Sequence, residues 1–134
     1  MTSSLPRVLM IDNNLYDLDL ARIAVEEAGL ALDLDTAGGG EEGQAKLTAM
    51  GSGNLQPYKA VLLDLNMPRM DGRQLLAWAR AQPGLKDLVI IIFTSSHASR
   101  ERSECLAMGA SDYWVKPSDL SEYIALIGQL RTHL

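Results

Sequence analysis

Four short strand-like runs in this chain each stop on an ionisable or hydroxyl-bearing side chain, and this constrains the fold more than any other feature. Val8 to Ile11 runs into Asp12-Asn13-Asn14, Ala60 to Leu63 into Asp64, Leu88 to Phe93 into Thr94, and Asp112 to Val115 into Lys116. Short runs of apolar and β-branched residues bounded by polar breaks read as strands buried on both faces. The third ends sharply: Pro68 has no amide hydrogen for a sheet ladder and Gly72 opens a turn, so the stretch Lys59 to Gly72 delivers Asp64 and breaks. Taken alone, Asp64 is equally a loop aspartate that caps the next helix. The other strand ends decide between the two readings.

Between these runs lie helical patterns. Leu15 to Ala28 carries apolar residues at helical spacing and stops at Gly29; Glu41 to Met50 is a modest helix; Gly72 to Ala81 ends at Pro83-Gly84; Ala98 to Met108 stops at Gly109. Asp119 to the C-terminus is the last, with Asp119 and Glu122 spaced as a capping box. One further strand, Leu30 to Thr36, alternates leucine with aspartate and so belongs near a sheet edge, half exposed. The order is strand then helix, five times. Such alternation means parallel strands, right-handed crossovers and helices on both faces.

In a parallel sheet all carboxyl ends share one edge, so Asp12, Asn13, Asp64, Thr94 and Lys116 can converge there. Two carboxylates, a hydroxyl and an ammonium suit an oxygen-liganded cation with a phosphoryl group. Mg²⁺ takes carboxylates and carbonyls while keeping waters, and lysine acts as a point charge on phosphate oxygens.

The totals narrow the class. The 134 residues suit one domain spanning 1–134, and 47% hydrophobic with 22% charged residues is an ordinary globular balance. A net charge of −5 without a basic run argues against a nucleic-acid surface. One cysteine, Cys105, allows no intrachain disulfide and fits a cytosolic setting. The start of the chain lacks a signal-peptide pattern, and no apolar run is long enough to span a membrane.

The pieces VLMIDNN, LLDLNMPRMDG, IIFTSS and GASDYWVKP, in this register, resemble the receiver domain of two-component response regulators over essentially the whole chain. Thirty positions separate Asp64 from Thr94 and twenty-two separate Thr94 from Lys116. The resemblance implies an α/β, flavodoxin-like (βα)5 fold whose five parallel strands run in the order 2-1-3-4-5. It implies that Asp64 accepts phosphate from a phosphohistidine on a sensor histidine kinase or phosphotransfer protein. Mg²⁺ would be held by Asp12, Asn13, Asp64 and the backbone carbonyl of Asn66. Lys116 would pair with Asp64, Thr94 would bond a phosphoryl oxygen, and Tyr113 would turn inward as the second switch residue. The Lys116–Pro117 bond would be cis. Such a chain is a phosphoacceptor that gains and loses phosphate, not a conventional enzyme. With no output domain after the last helix, its output would be protein contact. The loop from Thr48 to Tyr58 and the passage KPSDLSEY are similar to single-domain receivers serving bacteriophytochrome-type kinases, some of which dimerise through helix four, strand five and helix five.

One position departs from the family pattern. Two acids usually follow the first strand; here they are Asp12 and Asn13. Counting Asp12, Asp64 and Lys116 leaves a formal charge of about −1 where the family has about −2, so Mg²⁺ should bind more weakly. This keeps a second reading open: a pseudo-receiver that binds partners without phosphate. A third reading, nucleotide binding, rests on Gly38 to Gly43, which matches GxGxxG. Glu41 and Glu42 inside that loop would repel a pyrophosphate, and the strand before it is the alternating one, so the loop is read as a connection. Cys105, Trp78 and Trp114 are read as packing residues.

Overall fold

The computed structural model describes residues 5–50 and 56–134. Part of the expected loop from Gly51 to Pro57, and with it part of the Thr48–Tyr58 loop resemblance, lies outside the described residues. Five strands, β1 (Arg7–Ile11), β2 (Asp33–Ala37), β3 (Tyr58–Leu63), β4 (Val89–Thr94) and β5 (Asp112–Val115), alternate with α1 (Leu15–Glu27), α2 (Gly40–Thr48), α3 (Gly72–Ala81), α4 (Ser99–Ala107) and α5 (Leu120–Gly128). All strand pairs are parallel and the order is β2-β1-β3-β4-β5. The expected fold and strand order are those observed.

The sheet is buried on both faces because its central strands are apolar through their middles, from Val8 to Ile11, Ala60 to Leu63 and Val89 to Phe93. Val8, Met10, Ala60, Leu62, Ile91 and Phe93 face α1 and α5. Leu9, Ile11, Val61, Leu63, Ile90 and Ile92 face α3 and the buried Cys105 of α4. The two sets interleave along each strand, as a two-residue side-chain period requires. Cys105 and Trp114 are buried in packing positions and Trp78 is partly buried against the same core, as expected.

The edge strand β2 starts later than the sequence suggests. Gly29, at φ +66°, turns the chain out of α1, and the Leu30 amide hydrogen bonds back to the Val25 carbonyl. Leu30 and Leu32 are buried by this return, so their burial comes from the turn and not from strand pairing. The last helix is also shorter than expected: α5 ends at Gly128 and a 3-10 turn, Gln129–His133, follows. Asp119 caps α5 by accepting from the Glu122 amide.

Two glycines let the connections close over the carboxyl edge. A side chain on Gly72 would collide with the Asp64 carbonyl at 2.2 Å, so α3 starts directly against the backbone that carries Asp64. A side chain on Gly40 would meet the Met70 carbonyl at 2.3 Å. The glycine-rich loop therefore serves close packing of α2 on the loop after β3, while Glu42 accepts from the Gly38 amide. No described peptide bond is cis, so Lys116–Pro117 is trans, contrary to the expectation. The trans isomer is the one proline ordinarily favours, by about 0.5–1 kcal/mol.

Candidate acidic site at the carboxyl edge of the sheet

The strand order reverses direction between β1 and β3, and at such a point a crevice opens beyond the strand ends. Asp12 and Asp64 flank it. Both are held by the sheet itself: the Asp12 amide donates to the Ala37 carbonyl and the Asp64 amide to the Ile11 carbonyl, each at 3.0 Å. Both carboxylates are buried.

Lys116 enters from β5. Its amide donates to the Thr94 carbonyl at 2.7 Å, which continues the β4–β5 ladder by one residue. Its ammonium lies 2.6 Å from Asp12 Oδ2, 2.9 Å from Asp17 Oδ2 and 3.9 Å from Asp64 Oδ1. The expected pairing of Lys116 with Asp64 is thus the longest of three contacts. Short hydrogen bonds hold the lysine to Asp12 and Asp17 instead. Burial would lower the lysine's pKa, but Asp12, Asp17 and the charge of Asp64 together outweigh it and the net shift is upward.

Asp17 was not among the sequence candidates. It sits in the first turn of α1, where an acid favours the helix dipole, and it reads there as an ordinary N-terminal charge. A chain of local bonds places it. Asp12 Oδ1 accepts from the Asn14 amide at 2.9 Å, and Asn14 Oδ1 caps α1 by accepting from the amides of Tyr16 and Asp17. The signal available in sequence was the cap itself: Asn14 followed three residues later by an acid on a helix that starts at the crevice.

Asp64 has an unusual electrostatic setting. Burial pushes its carboxyl up to about 6, Lys116 opposes this, Asp12 adds to it, and the amides of Leu65 and Asn66 pull it back down. The Leu65 amide donates to Asp64 Oδ1 at 2.9 Å. Asn66 itself is exposed, and so is Asn13. Asn13 sits beside the crevice on the loop after β1, without a hydrogen-bond partner for its side chain among the described residues.

The switch candidates lie one strand further on. Thr94 is fully buried at the end of β4, and its hydroxyl accepts from the Ser96 amide at 3.4 Å. Tyr113 is buried, with its hydroxyl donating to the Ser96 carbonyl at 2.8 Å. Arg102 of α4 donates to the Tyr113 carbonyl at 3.0 Å and stacks its guanidinium 5.9 Å from the ring centre. Tyr113 is therefore already inward in this structure.

The donor set fits a hard divalent cation. The carboxylates of Asp12 and Asp64 supply oxygen donors, and the Lys116 ammonium lies 3.9 Å from Asp64 Oδ1, closer to Asp12 and Asp17. Among the described residues no three acidic, histidine or cysteine side chains sit close enough together to hold an ion alone. A cation here would take Asp12 and Asp64, with carbonyl oxygens and water filling the remaining positions, as Mg²⁺ does.

Relatives share this architecture. QseB of Escherichia coli O157:H7, a transcriptional regulatory protein, is 35% identical over 124 residues, covering 92% of this chain but 52% of its own length. This chain thus spans about half the length of such relatives. A probable chemotaxis protein CheY of Rhizobium etli is 29% identical, with 90% of this chain and 88% of its own length matched. The solved structure of response regulator RPA3017, in red light signalling of R. palustris, superposes with a TM-score of 0.86 at 29% identity, covering 94% of this chain and 91% of that one. The phosphorylated cyanobacterial phytochrome response regulator RcpA shares the fold at 23% identity and a TM-score of 0.84, with 96% and 92% covered. The model of the response regulator receiver domain matches residues 8–128, and the chain belongs to that family.

Proposed function

We propose that this chain is a receiver that takes a phosphoryl group onto Asp64 from a phosphohistidine of a histidine kinase or phosphotransfer protein. The observation that carries this reading is the ammonium of Lys116 lying 3.9 Å from Asp64 Oδ1 across a crevice of buried carboxylates. In the transfer, an Asp64 oxygen attacks phosphorus, the N–P bond of the phosphohistidine breaks, and the imidazole leaves with the bond's electron pair and takes up a proton. Phosphoryl transfer demands position and charge compensation more than covalent help. Asp64 is positioned by the sheet ladder and by the Leu65 amide. Lys116 follows the charge as it moves onto the phosphoryl oxygens, and the Thr94 hydroxyl bonds one of them. Asp12, Asn13, Asp64 and the Asn66 carbonyl would hold Mg²⁺, which would supply positive charge against the developing phosphoryl charge. Release of the Ser96 bond to Thr94 links phosphate to the loop against which Tyr113 is hydrogen bonded, and so to α4, β5 and α5.

The likeness to RPA3017, named for red light signalling, supports a bacteriophytochrome-type kinase as the donor, and a cytoplasmic location goes with that partner. No described helix is long and apolar enough to cross a membrane. Leu106, Val115 and Leu120 are exposed on α4, β5 and α5, which supports that face as the one that contacts a target or a second copy.

A second reading stays in view because Asn13 contributes no charge and Lys116 is committed to Asp12 and Asp17: a pseudo-receiver that binds partners without phosphate. Incubation with a small phosphodonor and Mg²⁺ separates the two. One acid-labile phosphate is expected on the wild type and none on Asp64→Asn. Labelling of that variant rejects Asp64 as the acceptor, and an unlabelled wild type that also ignores millimolar Mg²⁺ favours the pseudo-receiver.

A further inference from the structure

We infer that Asp17 is a positioning residue of this site, seating the Lys116 ammonium away from Asp64 and supplying the negative charge that Asn13 lacks. The inference rests on the phosphoacceptor reading and deepens it.

Three observations carry it. The first is the pair of lysine contacts: 2.9 Å to Asp17 against 3.9 Å to Asp64. A buried ammonium with two good partners has little reason to approach a third. Asp64 is spared a closer ion pair only while Asp17 and Asp12 hold the lysine. The second is the count of charge. With Asp17 included, three carboxylates and one ammonium leave about −2, the value expected of a site with an acid at position 13. On this count the charge missing at Asn13 is offset by Asp17, four residues further on. Asp17 does this from behind the lysine, since no trio of acids is close enough to share an ion.

The third observation is Tyr123 of α5. Its hydroxyl is buried without a hydrogen-bond partner among the described residues, and the residue is 1% exposed. Burial raises its pKa, and the charges of Asp17 and Asp12 add to the rise, so these carboxylates are its charged neighbours. An unpaired buried donor within the field of these two acids offsets part of their charge when Lys116 moves to a phosphorylated Asp64.

The test is Mg²⁺ binding to the unphosphorylated full chain, followed by intrinsic tryptophan fluorescence and calorimetry. Asp17→Asn is expected to raise the Mg²⁺ Kd about tenfold, through lost charge and a lysine freed to pair with Asp64. Asp19→Asn removes the same charge from an exposed position on the same helix, and should change the Kd by less than about twofold. Adding Asn13→Asp to the Asp17→Asn variant should restore affinity, because it returns the carboxylate to the crevice. Melting of the cation-free variants separates a merely structural role, which would lower the melting temperature and leave the Kd alone. An Asp17→Asn Kd equal to the wild type, or equal to that of Asp19→Asn, overturns the inference and leaves the phosphoacceptor reading standing. A wild type without Mg²⁺ affinity overturns both.

Discussion

Two clusters of charge are built into this sheet, and they are balanced in opposite ways. One surrounds Asp64 at the carboxyl edge. The other surrounds Asp35 on the edge strand β2, near the amino-terminal ends of β1 and β3. Asp35 accepts from Tyr58 Oη at 2.5 Å and from Lys46 Nζ at 2.9 Å, with Arg7 at 3.4 Å. Arg7 also stacks 4.5 Å from the centre of the Tyr58 ring. Burial pushes the Asp35 carboxyl up, but Tyr58 and Lys46 outweigh it and the net shift is down. At Asp64 the balance is reversed: burial wins and the carboxyl rises to about 6. One carboxylate is surrounded by donors and cations. The other is crowded by Asp12, with its lysine held elsewhere. A charge that serves the fold is matched within the fold, and a charge left poorly matched is the one available for a ligand.

The largest expected contrast is chemical. Asp64→Asn should abolish phosphate incorporation from a small phosphodonor, while Asp35→Asn should leave it intact, as measured by intact mass before and after acid treatment. Equal losses in both variants would mean that the Asp35 cluster belongs to the site, and would remove the distinction.

Stability should move in the opposite direction. Asp35→Ala leaves Arg7 and Lys46 without their shared carboxylate, and the expected cost is about 2 kcal/mol, discounted for the partial exposure of the group. Asp64→Asn relieves a crowded carboxylate and should stabilise the metal-free protein by about 1 kcal/mol. Urea denaturation with chelator present measures both. A stabilised Asp35→Ala or a strongly destabilised Asp64→Asn would contradict the balance described above.

How far the sequence revealed each cluster follows from its periodicity. Asp12, Asp64, Thr94 and Lys116 were legible because each ends a strand, and a parallel sheet brings strand ends to one edge whatever the loops do. Asp17 was hidden because it lies on a helix, where its direction depends on the cap that Asn14 provides. The partner choice of Lys116 was hidden for the same reason, since it turns on Asp17. Asp35 looked like the solvent side of an alternating strand, but it is half-buried under its cationic and tyrosine partners. Its partners come from Arg7 on β1, Lys46 on α2 and Tyr58 on β3, three elements whose lateral packing no local spacing encodes. The trans Lys116–Pro117 bond was misread because the expectation came from the family resemblance and not from anything in the local chain.

The smallest effect sharpens the comparison through pH. Burial, and then the bond to Asp35, raise the Tyr58 hydroxyl to about 12 from 10.0. A group whose folded pKa is raised holds its proton in the folded state while the unfolded chain loses it. Its contribution is therefore fully present below pH 10 and is lost as pH rises from 10 toward 12. Asp35 works the other way: its lowered carboxyl contributes above its unfolded pKa of about 3.8 and that contribution fades as pH falls below it. Tyr58→Phe should cost about 1 kcal/mol at neutral pH, the worth of one hydrogen bond to a charged acceptor discounted for the partial exposure of Asp35, and should flatten the alkaline decline. Urea midpoints of wild type and variant across the two pH limbs give the answer. If both proteins lose stability in parallel above pH 10, the hydroxyl is not held by Asp35, and the matched cluster is less matched than its distances imply.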